Sequence, residues 1–208
     1  CICTPSVVSD TEKEKKDLYI EGVQNNGIIN HYEYIINSEG TIEIRHVLKP
    51  EGKMPLWFPR IGLTLTVSDA LDQVKWYGRG PQENYPDRKT GYPMGIYAST
   101  VQAMYEPYLM PQDYGLRTDV RWLQLTTDKG IGLQFKMNEW FNFNIYPYST
   151  DNLTKAMYTY QLQKQKGMTL NLDYATTGVG CTARGVFGAY KAMPQEYRRT
   201  ISIRPMMK

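Results

Sequence analysis

The segment Ile61-Gly62-Leu63-Thr64-Leu65-Thr66-Val67 decides the fold class of this chain. Large apolar side chains occupy every second position, and Gly or Thr occupies each position between them. Successive side chains of a β-strand point to opposite faces, whereas a helix would repeat every 3.6 residues. The segment is therefore predicted to be a strand that is buried on one side.

Strand signals recur on both sides of this segment. Ile28–Ile36 is rich in β-branched and aromatic residues, Asn37–Gly40 supplies turn residues, and Thr41–Leu48 places its aliphatic residues and His46 on one face. These runs predict a hairpin. Further strands are predicted at Gln73–Tyr77, Thr118–Thr126, Gly130–Lys136, Phe141–Tyr146, Met157–Leu162, Met168–Asp173 and Arg198–Ile203.

The pattern contains almost no helix. One short turn of helix is predicted at Asp151–Ala156, where Ser149 or Thr150 is positioned to cap the free amides. The stretch from Gly78 to Pro111 is dense in Gly, Pro and Tyr and is predicted to be a long functional loop. Many strands and little helix predict an all-β, mainly antiparallel sandwich or barrel.

The domain organisation follows from where the strand pattern begins. Residues 1–17 are polar and without sustained period, so they are predicted to form a linker or a loosely attached N-terminal segment. Residues 18–208 are predicted to form one domain. Because residue 1 is Cys rather than Met, we expect the chain to come from a longer protein.

Composition excludes several classes of function. The net charge is only +3, so no partnership with nucleic acid is expected. No run of about 18 apolar residues occurs, so no membrane span is expected. The three cysteines, Cys1, Cys3 and Cys181, lack a second Cys or His pair at zinc-ligand spacing, so neither a metal site nor a cofactor is predicted.

Two segments concentrate polar side chains, residues 77–88 and residues 111–122. Arginines in both can form planar, bidentate pairs with nearby carboxylates. One interpretation is a structural network that holds two long loops; the other is a set of side chains lining a sugar groove. The residues concerned are Arg79, Glu83, Asn84, Asp87, Arg88, Asp113, Arg117, Asp119 and Arg121.

The same segments carry a family resemblance. Trp76–Arg88, which reads WYGRGPQENYPDR, and Pro111–Trp122, which reads PQDYGLRTDVRW, resemble signature segments of the C-terminal, small-chain domain of family 2 β-galactosidases. Tyr105–Tyr108, which lies between them, resembles a further signature segment, and segments similar to later parts of that domain follow in the same order at Thr150–Met157, Asn171–Tyr174 and Gly178–Cys181.

This resemblance implies a β-supersandwich related to galactose mutarotase, placed after a catalytic (β/α)₈ barrel. The catalytic Glu pair of a retaining glycosidase lies in that barrel in the family, and a barrel needs about 250 residues. No catalytic residue is therefore expected in this chain. Carbohydrate, as a β-galactoside, and the catalytic barrel domain of the parent chain are the expected partners.

In the family, a loop of this domain carries a Trp that stacks against substrate. The corresponding loop, Gly178–Tyr190, contains no Trp and is expected to face the barrel. Phe187 or Tyr190 can cover an apolar sugar face instead, and Arg184 can hydrogen-bond sugar hydroxyls. The competing interpretation places the aromatic residues in the core and Arg184 in solvent.

Three functions therefore stay open at this point. The first is an accessory domain of a β-galactosidase, and the second is a stand-alone carbohydrate-binding module. The third is a mutarotase-like epimerase, which needs a His and a Glu facing one pocket. His31 and His46 lie on separate predicted strands without an obvious partner, which disfavours the third function.

Overall fold

The structure is a computed structural model that describes residues 27–181 and 185–207. In these residues it contains nine strands and one short helix. The strands are β1 (Ile28–Ile36), β2 (Ile42–Pro50), β3 (Arg60–Val67), β4 (Gln73–Arg79), β5 (Met94–Thr100), β6 (Arg117–Thr126), β7 (Gly132–Tyr146), β8 (Met168–Thr176) and β9 (Tyr197–Met206). The helix α1 is Thr150–Lys155, and 3₁₀ turns lie at Gln102–Met104, Thr159–Gln161 and Gly188–Tyr190.

Every pairing between these nine strands is antiparallel. The main path runs β1-β2-β9-β7-β6-β4-β5, and β8 and β3 branch from β7. Residues 132–137 of β7 pair with β9, whereas residues 142–146 pair with β8. The predicted all-β, mainly antiparallel sandwich is confirmed. The likeness to galactose mutarotase stays a prediction.

The core lies along β6, β7 and β8. Leu123, Leu125, Phe135, Phe143 and Leu172 are at most 1% exposed. Burying side chains of this size contributes roughly 1.5–3 kcal/mol each, so this cluster supplies much of the driving force for folding. The segment Ile61–Val67 is a strand, as predicted, and the side chains at both of its ends, Ile61 and Val67, are buried.

Three sequence predictions about elements are wrong. The two strands predicted at Gly130–Lys136 and Phe141–Tyr146 are a single strand, β7. Its exposed middle, residues 138–140, reads as a turn because the strand changes partner there from β9 to β8. Met157–Leu162 contains a 3₁₀ turn rather than a strand, and the Gln161 side chain accepts from the amides of Met157 and Tyr158, which precede that turn.

The third error is the missed strand β5, which lies inside the stretch predicted as one long loop. It pairs only with β4, and the alternating apolar residues Met94, Ile96 and Ala98 that mark it are exposed and lie among the Gly, Pro and Tyr residues of that stretch. The predicted helix is confirmed, and Ser149 is its cap, because the Ser149 hydroxyl accepts from the Asn152 amide at 3.1 Å.

Several predictions fall outside the described residues. The linker at 1–17, the boundary near residue 18 and the thiols of Cys1 and Cys3 belong to the part of the chain that the structure does not describe. Within the described part, no helix has the length and apolar character to cross a bilayer. No group of three or more His, Cys, Asp or Glu side chains there is arranged to hold a metal ion.

Candidate functional site

The two polar segments meet at one edge of the sandwich. The backbone amide of Asn84 donates to the carbonyl of Leu116 at 2.8 Å. The Asn84 side chain accepts from the amide of Thr118 at 3.1 Å, and Arg117 Nε donates to the Pro81 carbonyl at 3.0 Å. These bonds join the end of β4 to the start of β6.

Glu83 is the buried centre of this junction. One carboxylate oxygen accepts from Arg88 Nη2 at 2.8 Å and from the hydroxyl of Tyr108. The other oxygen accepts from the Gly115 amide at 2.9 Å. Burial, followed by the hydrogen bond to Glu83, raises the pKa of Tyr108 to about 12. Four donors from three segments therefore hold this carboxylate in place, counting the weaker bond from Tyr85 at 3.4 Å.

Asp119 forms a second arginine–carboxylate pair of the predicted kind, with Arg79. Its carboxylate lies 2.6 Å from Arg79 Nε and 3.0 Å from Lys89 Nζ. Burial alone raises the pKa of Asp119, but the hydrogen bonds and charges of Arg79 and Lys89 outweigh it and lower that pKa. The backbone of Asp119 has φ +56°, a conformation that costs free energy in residues other than glycine and is less unusual for Asp.

For two of the arginines, Arg117 and Arg121, the prediction of a carboxylate partner is wrong. No carboxylate lies within ion-pair distance of Arg117 or Arg121 in the described residues. Arg117 donates to backbone carbonyls and lies over the ring of Trp76, and burial lowers its pKa to about 10. Arg121 stacks on Trp140 at 3.3 Å. A guanidinium stacks on aromatic rings as readily as it pairs with carboxylates, and sequence spacing does not distinguish the two.

Asp113 has a partner that the sequence interpretation missed. Arg60, the first residue of β3, lies 3.2 Å from Asp113 and 3.2 Å from Asp173 of β8. Burial raises the pKa of Asp173 to about 7, against the opposing charge of Arg60. The sequence signal for this partner lies in β8, where Thr169, Asn171 and Asp173 alternate with apolar residues. Both faces of that strand are buried, so these polar side chains need partners inside the protein.

Asp87 contacts backbone amides rather than an arginine. Its Oδ1 accepts from the Val179 amide at 3.1 Å, and its Oδ2 accepts from the Gly180 amide at 2.7 Å. These amides begin the Gly178–Tyr190 loop. The structure therefore brings that loop against the first polar segment.

The loop carries the predicted sugar-contact residues. Phe187 is 66% exposed and Tyr190 is 40% exposed, so the alternative that these rings belong to the core is wrong. The amide of Gly178 donates to the Tyr190 carbonyl at 2.8 Å and closes the loop at its base. Arg184 lies outside the described residues, and its predicted contact with sugar hydroxyls stays a prediction.

His46 does not form the pair that a mutarotase-like function needs. It is 1% exposed, and its ring nitrogens contact the Tyr174 hydroxyl at 2.6 Å and the Asn30 side chain at 3.1 Å. His31 lies on β1 with an exposed side chain. Neither observation supports an epimerase.

Together the fold and this edge define a β-sandwich domain in which polar loops support an exposed aromatic loop. The model of the family described as beta galactosidase small chain matches residues 5–203, and the chain belongs to that family. The resemblance seen in the sequence segments is thereby confirmed.

Several curated relatives carry the name beta-galactosidase. The protein of Priestia megaterium is 38% identical over 147 residues, which are 71% of this chain and 14% of that protein. That of Vibrio cholerae is 39% identical over 122 residues, or 59% and 11%, and that of Pseudoalteromonas haloplanktis is 34% identical over 148 residues, or 71% and 14%. The chain therefore spans only a small part of each of these relatives.

Proposed function

We propose that this chain is the C-terminal accessory domain of a family 2 β-galactosidase, which hydrolyses terminal β-D-galactosides. In this proposal the domain contributes carbohydrate contacts and domain packing but no catalytic carboxylates. The observation that carries the proposal is the Gly178–Tyr190 loop, which is anchored at its base and exposes Phe187 and Tyr190.

The acidic side chains of the two polar segments are poor candidates for catalysis. A retaining glycosidase needs a nucleophilic carboxylate and a protonated acid about 5–5.5 Å apart, both free to meet substrate. Here each carboxylate is already bound by protein donors. The engaged groups are Glu83, Asp87, Asp113 and Asp119. This supports a role in architecture rather than in bond cleavage.

The exposed rings suit contact with a sugar. The C–H face of a pyranose is apolar, and a flat ring covers it while hydroxyls outside the contact keep their hydrogen bonds. Phe187 offers such a face, and Tyr190 adds a hydroxyl. A phenylalanine that is 66% exposed gives little to the fold, so its position is consistent with recognition.

The same end of the sandwich offers a surface for packing against the catalytic domain. Leu56 is 85% exposed, Met193 is 48% exposed, and Lys191 lies over the ring of Trp57 at 5.6 Å. Phe58, next to Trp57, forms a bridge with Ala192, so these side chains neighbour the aromatic loop. Clustered exposed apolar side chains mark interaction surfaces.

The test uses the parent β-galactosidase that contains this chain. Phe187→Ala and Tyr190→Ala are each expected to lower kcat/KM several-fold while the melting temperature stays within about 1 °C, because an exposed side chain contributes little to stability. Tyr160→Ala, at an aromatic residue that is 80% exposed elsewhere, is the matched control and should leave kcat/KM unchanged. Unchanged kinetics in both loop variants would contradict the carbohydrate contact.

A further inference from the structure

We infer that Asp87 is the positioning residue of the Gly178–Tyr190 loop. Its carboxylate fixes the backbone of Val179 and Gly180, where the chain leaves the sheet. The positioning role stands on geometry alone. Its consequence for sugar binding rests on the proposed function.

The contact between Asp87 and the loop uses both carboxylate oxygens. Each oxygen accepts from one of two consecutive amides, those of Val179 and Gly180, at 3.1 and 2.7 Å. Consecutive backbone N–H groups that point the same way bind an anion well, and a charged acceptor strengthens each bond. Gly180 has φ +66°, which a residue with a side chain adopts only at a cost. The loop backbone is therefore shaped to receive this carboxylate.

Gly178 supplies the space that the carboxylate occupies. A Cβ atom at position 178 would lie 2.3 Å from the Asp87 Cγ and 2.5 Å from each of its oxygens. Such distances are far inside van der Waals contact, and the carboxylate is held by bonds that oppose its displacement. Asp87 and Gly178 are thus a matched pair in which the missing side chain of one makes room for the other.

Asp87 is itself held by the polar segment around it. Tyr85 and Arg88, which lie on either side of Asp87 in the sequence, form an isolated β-bridge, and the Arg88 amide donates to the Tyr85 carbonyl at 2.8 Å. The Arg88 guanidinium lies over the Tyr85 ring at 5.2 Å and donates to the buried Glu83. Because Glu83 is bonded to the Gly115 amide just before β6, the position of Asp87 is linked to the sheet.

Away from Asp87, the described part of the loop is constrained by backbone contacts, among them a bridge at Cys181 and the 3₁₀ turn Gly188–Tyr190. Its base is closed by the Gly178–Tyr190 backbone bond, and beyond it the Thr177 hydroxyl accepts from the Ala192 amide. In the described part of the loop, 178–181 and 185–190, no side chain other than that of Asp87 bonds to the backbone. Loss of Asp87 should therefore free the segment after Gly178 while the base stays closed.

The first test measures loop order in this chain. Amide hydrogen exchange at Val179 and Gly180 is expected to be at least tenfold faster in Asp87→Ala and to rise less in Asp87→Asn, which keeps one good acceptor. A nitroxide on Cys181, the exposed thiol next to Gly180, should become more mobile in a Cys1→Ser/Cys3→Ser background. Asp128→Ala, in an exposed turn, is the control. Unchanged exchange and label mobility in Asp87→Ala would overturn the inference.

The second test separates this contact from general destabilisation. Gly178→Ala should accelerate exchange at Val179 and Gly180 about tenfold when Asp87 is present, because the new Cβ displaces the carboxylate. In the Asp87→Ala background the same change should have an effect of less than twofold, since the clashing atoms are gone. Equal effects of Gly178→Ala in the two backgrounds would overturn the pairing.

The third test links loop order to function in the parent β-galactosidase. Asp87→Ala is expected to raise KM several-fold with a smaller change in kcat, because a disordered loop pays its ordering entropy on binding. Asp87→Asn should recover part of the loss. A loop that loosens while KM stays unchanged would leave Asp87 as the positioning residue and overturn the carbohydrate contact of the proposed function instead.

Discussion

His46 shows how burial decides the chemistry of one residue. It stacks on Tyr32 at 4.1 Å, and its ring nitrogens contact Tyr174 and Asn30. Burial lowers its pKa from 6.5 to about 4. Burial also raises the pKa of Tyr174, whose hydroxyl contacts the His46 ring. His46 is therefore a neutral part of the hydrogen-bonded core.

The pKa of His46 predicts acid sensitivity. Between about pH 6.5 and 4 the unfolded chain binds a proton at this residue and the folded chain does not, so its contribution to stability falls as pH falls. The full shift corresponds to roughly 3 kcal/mol. Urea unfolding at pH 7, 5.5 and 4 should show the wild type losing stability relative to His46→Gln as the pH falls.

The wild type must be compared with His46→Gln because Asp173 changes the stability of the folded chain with pH in the opposite sense. Its pKa is raised to about 7, so the folded chain holds this proton more tightly than the unfolded chain does. That contribution is complete below about pH 4 and is lost as pH rises to about 7. Parallel stability curves for wild type and His46→Gln would show that His46 is not the acid-sensitive group.

At the scale of the element, a shift of strand register within β6 helps to bring the two polar segments together. Its register with β7 shifts on both sides of Val120, and Asp119 lies in the left-handed region just before it. The shift directs the Asp119 side chain toward Arg79 at the end of β4 and Lys89 in the loop that follows. A regular strand would place that side chain elsewhere, because its direction is set by strict alternation.

Asp119→Ala is expected to lower the free energy of unfolding by about 2–3 kcal/mol. It removes a partly buried carboxylate from two cations and leaves a non-glycine residue at positive φ without a compensating bond. Asp119→Asn should cost less, because asparagine tolerates this backbone and keeps an acceptor for Arg79. Guanidinium unfolding measures both, with Asp128→Ala as an exposed control. A loss below about 0.5 kcal/mol in Asp119→Ala would show that these charges are solvated.

At the scale of the whole molecule, the chain matches only 11–14% of the length of the relatives named above. We expect the purified chain not to hydrolyse a chromogenic β-galactoside, because positioning groups without a nucleophile and an acid cannot supply the main reduction of the barrier. Activity should require the catalytic domain of the parent protein. Turnover by protein purified from a host without β-galactosidase would contradict the accessory role and direct attention to Asp113, whose side chain is 42% exposed.

Sequence alone determined the parts of the fold that depend on local order. Residue type and turn residues placed the β1–β2 hairpin, and alternation placed β3, since burial on one face dictates a period of two. The Ser149 cap followed from the free amides at the start of any helix. The two polar segments identified the family and the edge where they meet, because long, specific motifs carry information that single residues do not.

The tertiary structure alone decided which groups meet at that edge. Asp87 binds loop amides from residues far along the chain, and Arg60 rather than a nearby arginine neutralises Asp113. Whether Phe187 is buried or exposed likewise depended on where its loop leaves the sheet. The physical reason is that backbone amides carry no sequence signature and that a shift in register redirects side chains. Partners separated by many residues along the chain become defined only when the strands that carry them have paired.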